Sequence, residues 1–192
     1  MKTKDLIKEG QKIVKDFNPK LKVHNIDIDL KENSGILFIS LNPSDAKDKP
    51  ESWHRNYNKE SHFKMLDNFI EESKWEHIDL FFIKNKTSAD IKKLIFEGSK
   101  EDKLTKFGRD QLDISLHIIE ELTPKIIVVI NALASKILKK EFGLEKLNEK
   151  GYYLWRNTPV FFSGMLSGGR SLDVGSRERL IWHIKKVLDD GL

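Results

Sequence analysis

Cysteine is missing from this chain of 192 residues. Its absence excludes disulfide bonds, a cysteine nucleophile and an iron–sulfur cluster held by thiolates. Long apolar runs are missing too, since none approaches the roughly 20 residues that a membrane-spanning helix needs. Residues 1–5 lead into an amphipathic pattern and lack the apolar core of a secretory signal. We therefore expect a cytoplasmic protein without a membrane partner.

The signatures of several large enzyme classes are absent as well. The sequence has no P-loop, no Gly-x-Gly-x-x-Gly after a strand and no Gly-x-Ser-x-Gly elbow. Its six histidines are scattered, and His54 with His62 has no third ligand at the spacing typical of zinc sites. The pairs Glu71–Glu72 and Glu120–Glu121 are typical of solvated helix faces. We expect neither a metal nor an organic cofactor.

Charge and length set broader bounds. The chain carries 34 basic and 30 acidic residues, for a net charge of +4, and its pI is about 9.0. This excess is compatible with a polyanionic partner but does not require one. With 39% hydrophobic and 33% charged residues, the composition is typical of a globular protein in water. The length predicts one domain over residues 1–192, and we expect a monomer.

Apolar runs alternate with amphipathic segments. Strands are predicted near 36–41, 78–83 and 125–130, and a hairpin joins 152–155 to 159–162. Helices are predicted near 4–17, 88–98, 105–122 and 131–141, and a last helix is capped by Ser176. This alternation predicts an α/β fold: a three-layer α/β/α sandwich around a central, mostly parallel sheet of four to five strands.

Three strand ends carry the residues of interest. Leu41-Asn42-Pro43-Ser44-Asp45 follows the run 36–39, and Gly164–Ser171 follows 160–162. Asn85 closes the segment Phe82-Ile83-Lys84-Asn85. Ligands of open α/β sheets bind at the carboxyl ends of the strands. These segments are therefore the candidate functional site.

Together the three segments resemble the uracil-DNA glycosylase superfamily, over roughly residues 35–188. The resemblance implies that the protein binds DNA, flips a nucleotide out of the helix and hydrolyses the N-glycosidic bond of uracil or another deaminated base. Some branches of the superfamily carry an iron–sulfur cluster, which this chain cannot hold because it has no cysteine. The sequence Asn42-Pro43-Ser44 is similar to the asparagine version of the first motif, typical of the mismatch-specific branch.

The resemblance assigns a role to each motif residue. Asn42 positions the attacking water, and Asp45 is the alternative water activator. Asn85 reads the Watson–Crick edge of the flipped base, because an amide both donates to a carbonyl and accepts from an imide N–H. Further substrate-binding residues are Leu41, Pro43 and Ser44 of the first loop. The aromatic-rich segment 53–63 offers Tyr57 and Phe63 as rings on which a flipped base stacks. Phe63 begins an amphipathic helix and fits a helix core better, and Trp53 and His54 only cover the site.

The third motif departs from the family pattern. The family carries His-Pro-Ser or Asn-Pro-Ser there, and alignment on Ser167 places Met165-Leu166 where His-Pro would stand. Met165 cannot donate a hydrogen bond to the departing base. Backbone N–H groups of the glycines replace that donor, or the enzyme is slow, or the chain is not a glycosylase. The residues expected to contact the DNA are Met165, Ser167, Gly168, Gly169, Arg170 and Ser171.

Two other functions fit the same residues. The first is a non-catalytic member of the same fold that binds nucleic acid. The absence of His-Pro from the third motif supports this alternative. The second is a small-molecule enzyme that hydrolyses a free nucleoside or nucleotide, which predicts no affinity for DNA.

Overall fold

Strands and helices alternate along the chain, and the computed structural model describes them over residues 2–23, 25–26, 30, 34–42, 52–53, 75–85, 87–166 and 172–189. The described strands are β1 (Asn25–Ile26), β2 (Ile36–Ser40), β3 (Ser52–Trp53), β4 (Trp75–Asp79), β5 (Ile126–Val129), β6 (Tyr153–Trp155) and β7 (Thr158–Phe162). The described helices are α1 (Thr3–Phe17), α2 (Ser88–Ile95), α3 (Lys106–Leu122), α4 (Ala132–Glu141) and α5 (Val174–Asp189). No helix in these ranges is both long enough and apolar enough to cross a membrane.

Contacts along the chain divide it into two compact units. The first consists of Met1–Lys31, Leu41–Arg55 and Asp79–Leu122, and the second of Glu32–Ser40, Asn56–Ile78 and Thr123–Leu192. The first contains helices α1, α2 and α3 and a short parallel pairing of β1 with β3. The second is built on a larger sheet.

That sheet has five strands in the order β4-β2-β5-β7-β6. Strand β5 pairs in parallel with β2 on one side and with β7 on the other, and β6 pairs antiparallel with β7. The fold is therefore α/β with a mixed, mostly parallel sheet, as the strand–helix alternation predicts. The β6–β7 hairpin is also confirmed: Arg156 and Asn157 have φ angles of 47° and 70°, as a type I′ turn requires.

Helices cover both faces of this sheet within the second unit. Ile184 and Val187 of α5 pack in one buried cluster with Phe38, Val128 and Phe161 of the strands. Successive strand residues point to opposite faces, so Phe162 lies on the other face. There the Lys139 ammonium of α4 lies 5.0 Å from the ring centroid of Phe162. The predicted α/β/α layering is thus present.

In the first unit, α1 packs against α3, and a buried glutamine joins them to the chain beyond β4. Gly10 of α1 lies so close to Phe82 that a Cβ there would stand 2.5 Å from the ring. Gln111 of α3 is fully buried. Its Nε2 donates to the Gly10 carbonyl at 2.8 Å, and its Oε1 accepts from the Phe82 N–H at 3.0 Å. One side chain therefore satisfies two buried backbone groups.

The second predicted strand, near 78–83, is misplaced. Strand β4 spans Trp75–Asp79, and the apolar run 80–83 lies beyond its end. Side chains of α3 bind this run: the Ser115 hydroxyl donates to the Leu80 carbonyl at 2.9 Å, and Gln111 accepts from Phe82. The run is apolar because it is buried in the first unit, whereas the strand itself contains polar residues.

Two helix details also differ from the sequence interpretation. Phe17, which the helical periodicity of residues 4–17 places on the same face as Leu6 and Val14, is 51% exposed and stacks on Phe107 with ring centroids 4.0 Å apart. The cap of α5 is Asp173 and not Ser176, because the Asp173 carboxylate accepts from the Ser176 N–H at 2.9 Å. Hydrogen bonds from Ser176 also lower the pKa of Asp173.

Replacing Gln111 by methionine is expected to destabilise the protein by about 2–4 kcal/mol, because it leaves the buried Gly10 carbonyl and Phe82 N–H without their partner. Methionine keeps the side-chain length, so the change is mainly one of hydrogen bonding. Urea denaturation monitored by circular dichroism measures it. Leu112→Met, at the next buried position of α3, is the control, with an expected loss below about 1.5 kcal/mol. Equal losses for both variants would contradict this role for Gln111.

Candidate functional site

The sheet of the second unit has a topological switch point beside β2. The chain passes from β2 to β4 on one side and then to β5 and β7 on the other. In such sheets ligands bind outside the carboxyl ends of the strands, where the order reverses. The parallel strands β2, β5 and β7 end at one edge, and the bonds from Ile130 N–H to Ile39 and from Ser163 N–H to Val129 extend their ladders.

Asn131 and Met165 meet at this edge. Asn131 follows β5 and caps α4: its Oδ1 accepts from the N–H groups of Leu133 and Ala134 at 2.9 and 3.2 Å. Its Nδ2 lies 3.7 Å from the thioether sulfur of Met165, which follows β7. Both side chains are partly buried. From the sequence alone, Asn131 is only the first residue of the predicted helix 131–141, because its partner is 34 positions away.

Met165 also marks the base of the third motif. Its carbonyl accepts from the Leu172 N–H at 2.9 Å, so a backbone bond joins Met165 to the residue that follows the third motif. Leu166 is fully buried and belongs to the core cluster under α5. Leu166 therefore has a structural role in the core, whereas Met165 is partly exposed at the sheet edge.

A serine and a histidine pair across β2 and β4. Ser40 Oγ lies 2.7 Å from His77 Nε2. Ser40 is the last residue of β2, and alternation along the strand places it on the face of Phe38, which meets Trp75 edge-on with centroids 6.0 Å apart. The polar contact between Ser40 and His77 therefore lies next to the aromatic contact between Phe38 and Trp75, nearer the end of β2.

In the first unit, Asn42 is the second residue after β2. Leu41, which precedes it, is 2% exposed, and its carbonyl accepts from the Phe81 N–H at 3.0 Å. This bond fixes the backbone directly before Asn42 to the anchored run after β4. Asn42 is partly exposed, and the backbone directly before it is held by this bond.

Asp79, which ends β4, is a candidate that the sequence interpretation missed. Its side chain is 5% exposed, and burial raises its pKa from 3.8 to about 7. Desolvation favours the neutral acid over the charged form. Buried carboxyls that titrate near neutral pH cluster at functional sites. No sequence signal marks Asp79, because its importance lies in its burial.

The predicted site residues are described unevenly. Asn85 lies in the first unit, partly exposed, and six positions beyond the end of β4, not directly at the strand end as expected. Its role as the reader of the base stays a prediction. Most of the other predicted site residues lie outside the described ranges: Pro43, Ser44, Asp45, Tyr57, Phe63, Ser167, Gly168, Gly169, Arg170 and Ser171. The same holds for His54 and for the side chain of Trp53.

Within the described ranges, no group of three histidine, aspartate or glutamate side chains is arranged to hold a metal ion. Comparison of the sequence with models of known protein families and with curated proteins finds no match in either set.

Proposed function

We propose that this protein is a DNA glycosylase, similar to the uracil-DNA glycosylase superfamily, that hydrolyses the N-glycosidic bond of uracil or another deaminated base. The position of Asn42 carries the proposal. It follows β2, the strand beside the switch point, and the bond from the Phe81 N–H to the Leu41 carbonyl holds the backbone directly before it. The α/β/α layering that the resemblance implies adds support.

The chemistry suits an asparagine. As the bond between the sugar and the base breaks, positive charge develops on the sugar and negative charge on the base. A water molecule then needs correct placement more than strong activation. The amide oxygen of Asn42 accepts a hydrogen bond from this water and directs it at the sugar carbon. Because an amide is a poor base, turnover depends on how well the base leaves.

Binding of DNA is assigned to the third motif. Arg170 with Ser167, Ser171 and the glycines contacts the phosphate backbone, where donors position the nucleic acid without reading its sequence. The net charge of +4 is consistent with this partner. We therefore expect the affinity for DNA to fall as the salt concentration rises.

The test is alkaline strand cleavage of labelled oligonucleotides after incubation with the protein. The substrates carry single-stranded uracil, a U·A pair, a G·U mismatch, hypoxanthine or xanthine, and an undamaged oligonucleotide is the control. Cleavage at the modified base alone is expected, with the mismatch or single strand preferred because such bases are easiest to flip. Binding without cleavage of any substrate would favour the non-catalytic nucleic-acid binder. Absence of salt-dependent binding would favour the small-molecule enzyme.

A further inference from the structure

The side-chain amide of Asn131 is fixed in orientation. Two backbone N–H groups of α4, from Leu133 and Ala134, bond to Oδ1. Only an oxygen can accept these bonds, so the oxygen and nitrogen branches of the amide cannot be exchanged. The NH2 group therefore points away from α4, and this orientation is set before any ligand binds.

That NH2 group faces a weak acceptor. Among the described residues its partner is the Met165 sulfur, at 3.7 Å. A thioether accepts hydrogen bonds poorly, and the methionine side chain is flexible enough to move aside. A carbonyl oxygen is a much stronger acceptor. The hydrogen bond from the Asn131 amide therefore becomes stronger when such an oxygen replaces the sulfur.

The neighbours of this pair indicate which oxygen. Ile130 and Leu133 beside Asn131, and Leu166 beside Met165, are all buried apolar residues. Asn131 and Met165 are themselves partly buried, and an ionised phosphate loses much hydration at a partly buried position, whereas the carbonyl of a heterocyclic base loses little. Asn131 also follows β5, which borders the switch point.

We propose that Asn131 is a substrate-binding residue whose Nδ2 donates a hydrogen bond to a carbonyl oxygen of the departing base, an inference that rests on the proposed function. When the glycosidic bond breaks, its electron pair passes to the base and negative charge gathers on that oxygen. Water supplies the hydroxyl that bonds to the sugar carbon, and its proton finally leaves on the base or in solvent. A donor already in place binds the charged oxygen more tightly than the neutral one and so lowers the barrier.

The test is Asn131→Asp, which keeps the oxygen that caps α4 and removes the donor. The matched control is Asn148→Asp, because Asn148 Oδ1 likewise accepts two backbone N–H bonds, from Lys150 and Tyr152, at 3.1 Å each. We expect Asn131→Asp to lower kcat about 100-fold with little change in KM, and Asn148→Asp to leave both unchanged. The loss is expected to be smaller on 5-fluorouracil, a better leaving base, because that base needs less stabilisation of its charge.

Asn131→Ser is the second variant, since serine also caps helices and lacks the amide. Thermal unfolding shows that each variant is folded before it is assayed. A folded variant of either kind that keeps the wild-type kcat overturns this proposal alone. The same holds for a loss that is equal on uracil and 5-fluorouracil. A wild-type protein that cleaves none of the substrates overturns the proposed function and this inference together.

Discussion

Asn42→Ala is expected to lower the rate of uracil excision by about 100-fold or more, because a misplaced water reduces an oriented reaction by about that factor. Affinity for uracil-containing DNA is expected to change little, since alanine removes the amide that holds the water and leaves the proposed phosphate contacts in place. Single-turnover cleavage gives the rate, and fluorescence anisotropy gives the affinity. The backbone bond from Phe81 to Leu41 does not involve the Asn42 side chain, so the fold is expected to persist.

Asn42→Asp separates positioning from activation. A carboxylate oxygen also orients a water molecule and is a stronger base than an amide, so this variant is expected to retain activity when its carboxylate is ionised. Asn42→Ala with unchanged cleavage would assign the water to another residue, of which Asp45 is the first candidate. Loss of DNA binding in Asn42→Ala would instead identify Asn42 as a DNA contact.

The sequence predicts β5 well and β4 poorly, for physical reasons. Strand β5 is buried on both faces, so all four of its residues are apolar. Strand β4 contains Glu76, His77 and Asp79, so a prediction based on hydrophobic runs does not detect it. The apolar run that follows β4 is buried in the first unit, and side chains of α3 satisfy its backbone. Both β4 and the run that follows it are buried, but β4 buries polar residues and so leaves no hydrophobic run in the sequence.

The candidate site shows the same limit. Asn42 is predictable because its motif is local and directly follows an apolar strand. The contact between Asn131 and Met165 joins residues 34 positions apart, and only the pairing of β5 with β7 brings their strand ends together. Asp79 escapes notice because its importance lies in its burial. No local pattern carries either property.

Burial of Asp79 makes the stability of the protein depend on pH. Its pKa is 3.8 as a free side chain and about 7 in the folded protein. Below about pH 4 the carboxyl is protonated in both states and has no differential effect. Between about pH 4 and pH 7 the unfolded chain loses the proton while the folded protein keeps it. The free energy of unfolding therefore falls as the pH rises through this window and levels off above it.

Asp79→Asn is expected to remove this loss, since asparagine resembles the protonated acid in shape and never ionises. We expect the difference in free energy of unfolding between Asp79→Asn and the wild type to grow by about 3 kcal/mol from pH 5 to pH 8. Only the unfolded wild-type chain is ionised at Asp79 between pH 5 and about pH 7, and each of these roughly two pH units contributes about 1.4 kcal/mol. Urea denaturation at pH 5, 6, 7 and 8 measures the difference.

Asp16→Asn is the control, because Asp16 lies exposed on α1 and its variant is expected to follow the wild-type pH profile. Parallel profiles for Asp79→Asn and the wild type would show that the carboxyl is not held neutral by burial. The same variant assayed for uracil excision at pH 8 connects stability with function. A protein that becomes more stable but less active without Asp79 retains that carboxyl for its chemistry. One that becomes more stable and stays fully active retains it for no step of the reaction.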